Sequence, residues 1–320
     1  MVREGRYAAI DVGTVTCRML VADVSAAADG SPLVKPLIKE YAVTNLGEGV
    51  DATHRLSQAA LARVAEAIDG FAAKLRELDV RGDLMENTLV MATSASRDAD
   101  NSGEFAALME ERGFRLNVIS GGTEAMMSFM GASSAFAGEN VAVVDVGGGS
   151  TEVSVGVAGE EPTFSHSFDV GCRRVTERFW DGYPPSAEAL HAARGWIREQ
   201  FATIAVATDA PFRMLAVAGT ATSAVSIRER MAVYDSARVH GSVVTGAELR
   251  AICDALASMT LDELQHVVGL DPRRAPVIVA GMAILQEAMS ALGQGSFTAS
   301  ESDILEGMIM YNAMAGHAGN

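Results

Sequence analysis

The sequence is short of cysteine, proline and lysine, and it has no long hydrophobic run. The three cysteines, Cys17, Cys172 and Cys253, are odd in number and far apart, so they predict free thiols in a reducing cytoplasm rather than a disulfide framework. Only 8 prolines accompany 31 glycines in 320 residues, which excludes a collagen-like chain. The longest uncharged stretches, such as 214–227, have 14 residues, too few to cross a bilayer as a helix. No secretory signal precedes the first strand-like run, so neither export by that route nor membrane insertion is expected.

Positive charge is scarce as well. The 25 basic residues, of which 22 are arginine, face 41 acidic residues, and the formal net charge is −16. Repulsion of this size excludes broad binding to nucleic acid or to an anionic membrane surface. It still permits a small polyanion, which a few arginines, backbone N–H groups and a divalent cation would hold locally.

Apolar residues make up 49% of the chain, enough for the cores of two domains at roughly 150 residues each. Their spacing predicts alternating strands and helices, and therefore an α/β fold. Two strands, 7–12 and 15–24, are joined by a tight polar turn, and the same plan returns with strands 141–146 and 151–157. Between them, a long helix is predicted to begin after the N-cap Ser57.

The restart of this strand–turn–strand pattern is the most informative feature of the sequence. Residues 9–14 (Ala-Ile-Asp-Val-Gly-Thr) and 143–148 (Val-Val-Asp-Val-Gly-Gly) match, and they lie 134 positions apart. Such an internal duplication predicts two similar domains, 1–125 and 126–320, around a central cleft. The last helix of the chain is expected either to stay with the second domain or to pack back on the first.

Glycine-rich segments provide candidate phosphate sites. The backbone N–H groups of 147–150 (Gly-Gly-Gly-Ser) suit phosphate oxygens, although a purely structural hairpin turn is the alternative. The segment leads into a strand, unlike a dinucleotide-binding motif, and it lacks the lysine of a P-loop. Another glycine segment, 218–222, is predicted to lie between a strand and a helix, whose N-terminus would favour an anion. The predicted phosphate ligands are Gly13, Thr14, Arg18, Gly147, Gly148, Gly149, Ser150, Gly219 and Thr220.

Asp11 and Asp145 stand at equivalent strand ends of the two copies. Two carboxylates that face each other across a cleft repel unless a divalent cation lies between them. Mg²⁺ suits such a site, since it accepts one or two carboxylates together with water and substrate phosphates. The sequence therefore predicts a Mg²⁺ site at Asp11 and Asp145, and the alternative is that each aspartate only caps its own turn.

Glu124 and Arg97 each follow a predicted strand. Glu124 opens a helix just after Gly121-Gly122, so it is either a helix cap or a general base that deprotonates a water for attack on phosphorus. Arg97 closes the segment 92–97 (Ala-Thr-Ser-Ala-Ser-Arg) and suits a bidentate clamp on phosphate, with a surface salt bridge as the alternative. These two are the predicted catalytic residues.

In their order and spacing, these motifs resemble the exopolyphosphatase / guanosine pentaphosphate phosphohydrolase (Ppx/GppA) family. The resemblance covers nearly the whole chain and rests mainly on 11–14, 92–97, 119–125, 145–152 and 218–222. It implies two ribonuclease-H-like domains of the actin-like ATPase superfold. It also implies Mg²⁺-dependent release of terminal phosphate from inorganic polyphosphate, from pppGpp or from both. Glu124 would be the catalytic base, Asp11 and Asp145 the metal-associated aspartates, and the protein a homodimer.

Three positions depart from the family pattern: Val15 stands for an asparagine, Thr123 for the first of two glutamates and Leu305 for an arginine. Because each loss removes a polar contact, a non-catalytic sensor of polyphosphate or alarmone is kept as an alternative. The leading prediction is an exopolyphosphatase that prefers short chains, since the sequence ends before the extra helical domains of longer family members and offers few basic groups to a long polyanion. A pppGpp 5′-phosphohydrolase with the same machinery is the other enzyme alternative.

Overall fold

The computed structural model describes residues 2–79, 82–204 and 211–315. The chain forms two compact units, Met1–Gly131 together with Ile304–Asn320, and Ala132–Asp303. The predicted boundary after residue 125 and the division after residue 131 both lie within the helix Gly121–Ser133. The final helix belongs to the first unit.

The first unit is built on a five-stranded mixed sheet with the order β3-β2-β1-β4-β5. Strands β1, β2 and β3 form an antiparallel meander, whereas β4 and β5 run parallel to β1. The bounds are β1 Gly5–Val12, β2 Thr16–Ala26, β3 Pro32–Val43, β4 Thr88–Ala92 and β5 Leu116–Val118.

The second unit repeats this arrangement in a six-stranded sheet with the order β10-β11-β9-β6-β7-β8. An antiparallel meander of β6, β7 and β8 is followed by β9 and β11 in parallel, and β10 adds an antiparallel edge. The bounds are β6 Asn140–Val146, β7 Thr151–Val157, β8 Phe164–Phe168, β9 Arg213–Val217, β10 Val243–Thr245 and β11 Ser296–Ala299. Two α/β units with this shared strand order confirm the predicted fold class of paired ribonuclease-H-like domains.

Helices connect the strands in both units. The first unit contains α1 Val50–Thr53, α2 Gln58–Leu78, α3 Ser94–Arg97, α4 Ser102–Glu110, most of α5 Gly121–Ser133 and the last helix α13 Ile304–Ala315. The second unit contains α6 Cys172–Phe179, α7 Ala187–Phe201, α8 Ala218–Arg228, α9 Ser236–Val239, α10 Gly246–Ala257, α11 Leu261–Gln265 and α12 Ala275–Ala291. Over the described ranges, we find no helix with the length and apolar character needed to cross a membrane.

Both faces of the first sheet are covered by helices. On one face, Val64 and Ile68 of α2 pack in a core with Ile10 of β1. On the other face, Leu305 and Met308 of α13 pack in a second core with strand residues of opposite alternation, such as Ala9 and Leu20. The final helix thus stays in the first unit because the sheet has an apolar face that α2 cannot reach. The carboxyl edge of the sheet, where β1, β4 and β5 end, is left to the connecting segments.

Candidate active site

Three predicted site segments meet at the carboxyl edge of the first sheet. In register, Val12 pairs with Ala92 and Ala92 pairs with Val118, so β1, β4 and β5 end side by side. The Gly13-Thr14 turn follows β1, helix α3 follows β4, and helix α5 follows β5. Loops at the carboxyl ends of parallel strands are where α/β proteins place their ligands.

Arg97 and Glu124 form a partly buried ion pair at this edge. Arg97 Nη1 lies 2.7 Å from Glu124 Oε2 and 3.1 Å from the carbonyl oxygen of Ile119. Both partners are charged, so the hydrogen bond is charge-assisted. Because the glutamate is only 8% exposed, the bond is also largely shielded from water. Within the described ranges, Arg97 Nε and Nη2 make no hydrogen bond. Nη1 therefore orients the carboxylate of Glu124, and the N–H groups of Nε and Nη2 are available to an anion.

Asp11 also has an arginine partner. It stands directly opposite Arg18 in the β1–β2 register, and Arg18 Nη2 and Nε lie 2.6 Å and 3.1 Å from Asp11 Oδ2. Asp11 is 4% exposed, so its charge is compensated at close range by this cation. The structure thus gives a predicted metal ligand and a predicted phosphate ligand a direct bond to each other.

The Gly13–Thr16 turn presents N–H groups away from the scaffold. Gly13 N–H donates to Thr16 O at 3.0 Å and closes the turn. The carbonyl of Thr14 accepts from Gly47 N–H at 2.9 Å, and that of Val15 accepts from the N–H groups of the residues just after β3. Because a trans peptide directs its C=O and N–H to opposite sides, the N–H groups that follow these carbonyls are directed away from the loop after β3.

The Gly147–Ser150 turn of the second unit is built in the same way. Its carbonyls at 147, 148 and 149 accept from Cys172 N–H, Arg173 N–H and Arg174 Nε, each at 2.9 Å. The peptide N–H groups of 148, 149 and 150 make no hydrogen bond to any described residue. A run of unshielded N–H groups of this kind forms an anion-binding concavity. The arrangement fits the predicted phosphate role.

Asp145 has a carboxylate as its cross-strand neighbour. It stands opposite Glu152 in the β6–β7 register, and the two are 6% and 3% exposed. Ser167 Oγ donates to Glu152 Oε1 at 2.6 Å. Sequence reasoning missed Glu152, although a signal existed. Glu152 lies 134 positions after Arg18, as Asp145 lies 134 positions after Asp11, so superposing the two copies would have found it.

The prediction for 218–222 needs a correction. Helix α8 begins at Ala218, directly after β9, so Gly219 and Thr220 lie in the first turn of the helix and not in a loop before it. The guanidinium of Arg274 packs on Gly219, where a Cβ would lie 1.5 Å from Nη1. Ala218 adopts the left-handed φ of 60°, which lets the strand turn abruptly into the helix. First-turn N–H groups have no partner within their own helix, so a role in anion binding stays a prediction.

These two units match one protein family by sequence. The Ppx/GppA phosphatase family model matches residues 21–315, and the chain belongs to this family. It is 35% identical over 319 residues to exopolyphosphatase 2 of Mycobacterium tuberculosis, covering 95% of this chain and 98% of that protein.

Two further relatives are longer than this chain. The chain is 34% identical to the bifunctional 3-dehydroquinate synthase/phosphatase of Fusobacterium nucleatum, with 95% of this chain and 46% of that protein covered. It is 30% identical to the guanosine-5′-triphosphate,3′-diphosphate pyrophosphatase of Aeromonas hydrophila, with 95% of this chain and 58% of that protein covered. Among solved structures, an exopolyphosphatase-like protein superposes with a TM-score of 0.86 at 28% identity, covering 97% of this chain and 99% of that one.

Proposed function

We propose that this protein is an exopolyphosphatase, a phosphoric anhydride hydrolase that releases terminal orthophosphate from inorganic polyphosphate. The observation that carries the proposal is the partly buried Arg97–Glu124 pair at the sheet edge where the turn after β1 also lies. A carboxylate held in place next to a phosphate-binding turn is what in-line attack of water on phosphorus requires. The relative named exopolyphosphatase 2, which the chain covers almost completely, supports the same reaction.

Glu124 acts as the general base. It takes a proton from the attacking water while Arg97 Nη1 fixes the orientation of its carboxylate. The remaining N–H groups of Arg97 contact an oxygen of the terminal phosphate and stabilise the charge that develops there. One arginine thus serves both the base and the phosphoryl group.

Each unit has a turn suited to binding phosphate. In the first unit the N–H groups of the Gly13–Thr16 turn bind phosphate oxygens, assisted by Arg18, whose guanidinium is oriented by Asp11. In the second unit the N–H groups at 148–150 do the same, together with the first turn of α8 at Gly219 and Thr220. These contacts recognise phosphate rather than any group attached to it.

Mg²⁺ is the proposed cofactor, and Asp145 is the residue that fits it best. With its cross-strand neighbour Glu152, Asp145 places two buried carboxylates on adjacent strands, and carboxylate oxygens are ligands that Mg²⁺ accepts. No group of three or more His, Cys, Asp or Glu side chains in the described ranges could hold a metal, so the remaining ligands would be water and phosphate. Bound there, Mg²⁺ supplies neutralising charge for the phosphates. Asp11 stays the second predicted ligand, in competition with Arg18.

Short chains are the proposed substrates. The net charge of −16 repels a long polyanion, and the proposed contacts hold only the terminal phosphates. We therefore expect a higher kcat/KM on short polyphosphates than on chains of hundreds of residues. The shortened chain is expected to leave after each cut.

A second candidate reaction is 5′-phosphate release from pppGpp. The relative from Aeromonas hydrophila favours it, and N–H groups that recognise phosphate accept either substrate. We further propose a cytoplasmic location, which the three buried free thiols support, and a homodimer on the family resemblance alone.

The experiment is phosphate release with Mg²⁺ from polyphosphates of defined length and from pppGpp, with partial digests resolved on a gel. We expect turnover on short polyphosphate and a ladder of intermediates from long chains. Faster turnover of pppGpp would make the second reaction the principal one. Disappearance of long chains without intermediates would contradict the chain-length proposal. Binding without turnover on every substrate would identify a sensor and overturn the enzyme.

A further inference from the structure

We infer that Arg63, which belongs to none of the motifs above, is a positioning residue for the Gly13–Thr16 turn and that it acts through the loop 44–49. The inference rests on the proposed function, because it concerns how tightly that turn binds phosphate. Arg63 lies on α2, and its side chain is 37% exposed.

The guanidinium of Arg63 holds two consecutive carbonyls of the loop. Nε lies 2.6 Å from Thr44 O, and Nη2 lies 3.1 Å from Asn45 O. Nη2 also donates to Glu48 Oε2 at 2.9 Å. Asn45 has a left-handed φ of 49°, a conformation that few residues other than glycine adopt and that asparagine tolerates better than most. Three bonds from one planar cation therefore fix a loop that takes an uncommon backbone path.

The loop passes this restraint on to the turn. The N–H groups of Thr44 and Asn45 both donate to Val15 O, at 3.0 Å and 2.9 Å. Since C=O and N–H point in opposite directions across a trans peptide, the Thr44–Asn45 peptide bridges Arg63 on one side and Val15 on the other. A cation on the carbonyl also polarises that peptide and strengthens its N–H as a donor. Arg63 is thus linked to the turn through one peptide plane.

A second contact ties the same loop to the turn and to helix α3. Gly47 N–H donates to Thr14 O at 2.9 Å. A Cβ at Gly47 would lie 2.3 Å from Thr14 Cγ2 and 3.1 Å from Ala95 Cβ, so the loop is packed tightly between them. Ala95 belongs to helix α3, so the loop lies between this helix and the turn.

The second unit shows the same device in a simpler form. Gly149 corresponds to Val15 at the spacing of 134, and its carbonyl accepts directly from Arg174 Nε at 2.9 Å. In both units an arginine restrains the same carbonyl of the turn. In the first unit it does so through the loop, and in the second it does so with its own side chain.

The test compares the wild-type enzyme with Arg63→Gln, Arg63→Lys and the control Arg112→Gln. Arg112 is a matched control because it lies in the same unit, donates to Leu108 O at 3.0 Å and pairs with Asp69 of α2, yet it contacts neither the loop nor the turn. KM and kcat are measured on tripolyphosphate, Kd on a non-hydrolysable tripolyphosphate analogue by calorimetry, and Tm by calorimetric melting.

We expect Arg63→Gln to raise KM and Kd about tenfold, with kcat nearly unchanged. A change of about tenfold in Kd is the effect expected from losing one hydrogen bond that restrains the binding turn. Arg63→Lys should recover part of the affinity, because an ammonium reaches one of the two carbonyls. Arg112→Gln should lower Tm without changing KM or Kd.

Unchanged KM and Kd in Arg63→Gln, or equal changes in Arg112→Gln, would overturn the inference. If Arg63→Gln does not fold, Arg63→Lys decides, since wild-type Kd in that variant contradicts the role. Failure of the proposed function is seen separately, as absence of phosphate release by the wild type, and the analogue's Kd still compares the variants in that case.

Discussion

The two strand–turn–strand repeats share one backbone plan and differ in charge. In the first, the aspartate at the end of β1 faces Arg18; in the second, the aspartate at the end of β6 faces Glu152. Both pairs are cross-strand neighbours, and all four residues are at least partly buried. The first pair joins a carboxylate to an arginine beside the turn, whereas the second places two carboxylates opposite each other, the donor type that Mg²⁺ accepts. The difference at one register position, Arg18 against Glu152, thus separates the proposed phosphate site of the first unit from the proposed metal site of the second.

The proposed catalytic pair, Arg97 and Glu124, should give the largest effect, because it is assigned to the chemical step itself. We expect Glu124→Gln to lower kcat about 10²–10⁴-fold, the range for loss of a general base, with Kd for the substrate analogue little changed. Phosphate release by the purified variant measures this. Arg55→Gln, on an exposed ion pair of the same unit, is the control and should be fully active. Normal turnover by Glu124→Gln would remove this residue from the mechanism.

Metal dependence sharpens the comparison between the two pairs. Asp145→Asn and Glu152→Gln should raise the Mg²⁺ concentration for half-maximal activity about 10–100-fold, the scale on which loss of a metal-site partner lowers affinity. Asp11→Asn should change the Mg²⁺ requirement less and KM more, because it releases Arg18 from its partner. Activity is titrated against Mg²⁺ for each variant. Equal Mg²⁺ shifts in all three variants would instead make Asp11 a metal ligand as well and would contradict the distinction between the two pairs.

The glycines that pack against the two turns, Gly47 and Gly171, should differ in how much an added Cβ destabilises the protein. A Cβ at Gly171 would lie 2.2 Å from Gly148 O and 2.4 Å from Gly149 C, both backbone atoms, whereas a Cβ at Gly47 would meet the side chain of Thr14. Backbone cannot move aside as a side chain can, so Gly171→Ala should cost about 3 kcal/mol and Gly47→Ala about 1 kcal/mol of unfolding free energy, the range for overpacking.

Denaturant unfolding at fixed pH measures both variants. The double variant Gly47→Ala with Thr14→Ser should recover stability relative to Gly47→Ala, because it removes Cγ2. Equal losses in Gly171→Ala and Gly47→Ala would contradict the distinction between backbone and side-chain obstruction.

Local pattern was sufficient to predict the repeat but not the edge of each sheet. The strands around both turns agree with the sequence prediction. The predicted helix after Ser57 is also present, and the Ser57 side chain accepts a hydrogen bond from Ala60 N–H as the N-cap. Strand β3 was not predicted. It carries Pro32, Pro36 and Lys35, residues that sheets place on exposed edges and that weaken the strand pattern. Its existence depends on pairing with β2, which is tertiary information.

Contacts between distant segments were equally invisible in the sequence. Arg97 and Glu124 are 27 positions apart and were assigned separate roles, although the structure joins them by one hydrogen bond. Helix α8 begins without a connecting turn, because Ala218 takes a positive φ that no alanine signals in advance. Residue types indicated the chemistry of each side chain. Only the three-dimensional structure showed which of these side chains contact one another.

The smallest expected effect concerns the thiols, which are divided unequally between the units. Cys17 lies in the first sheet, while Cys172 and Cys253 lie in the second unit, and all three are buried. Burial raises the pKa of Cys253 to about 11 and that of Cys17 further. A thiol whose pKa is raised by folding contributes fully to the unfolding free energy at pH values below the pKa of the unfolded chain, near 8.5–9. Above that pH the unfolded thiol loses its proton while the folded thiol keeps it, so this contribution decreases. Stability should therefore fall from about pH 8.5 upwards, by about 1 kcal/mol per thiol at pH 9.5.

Unfolding free energy is measured from pH 7 to 9.5, below the pKa of about 10 at which unfolded tyrosines are half ionised. Cys17→Ala should lower the unfolding free energy at pH 7 through lost packing. The unfolding free energy of this variant should then fall less steeply with pH than that of the wild type, by the contribution of one thiol. Cys253→Ala should reduce the slope by the same amount, since both folded thiols remain protonated throughout this window. A slope that neither substitution changes would show that other groups cause the alkaline loss.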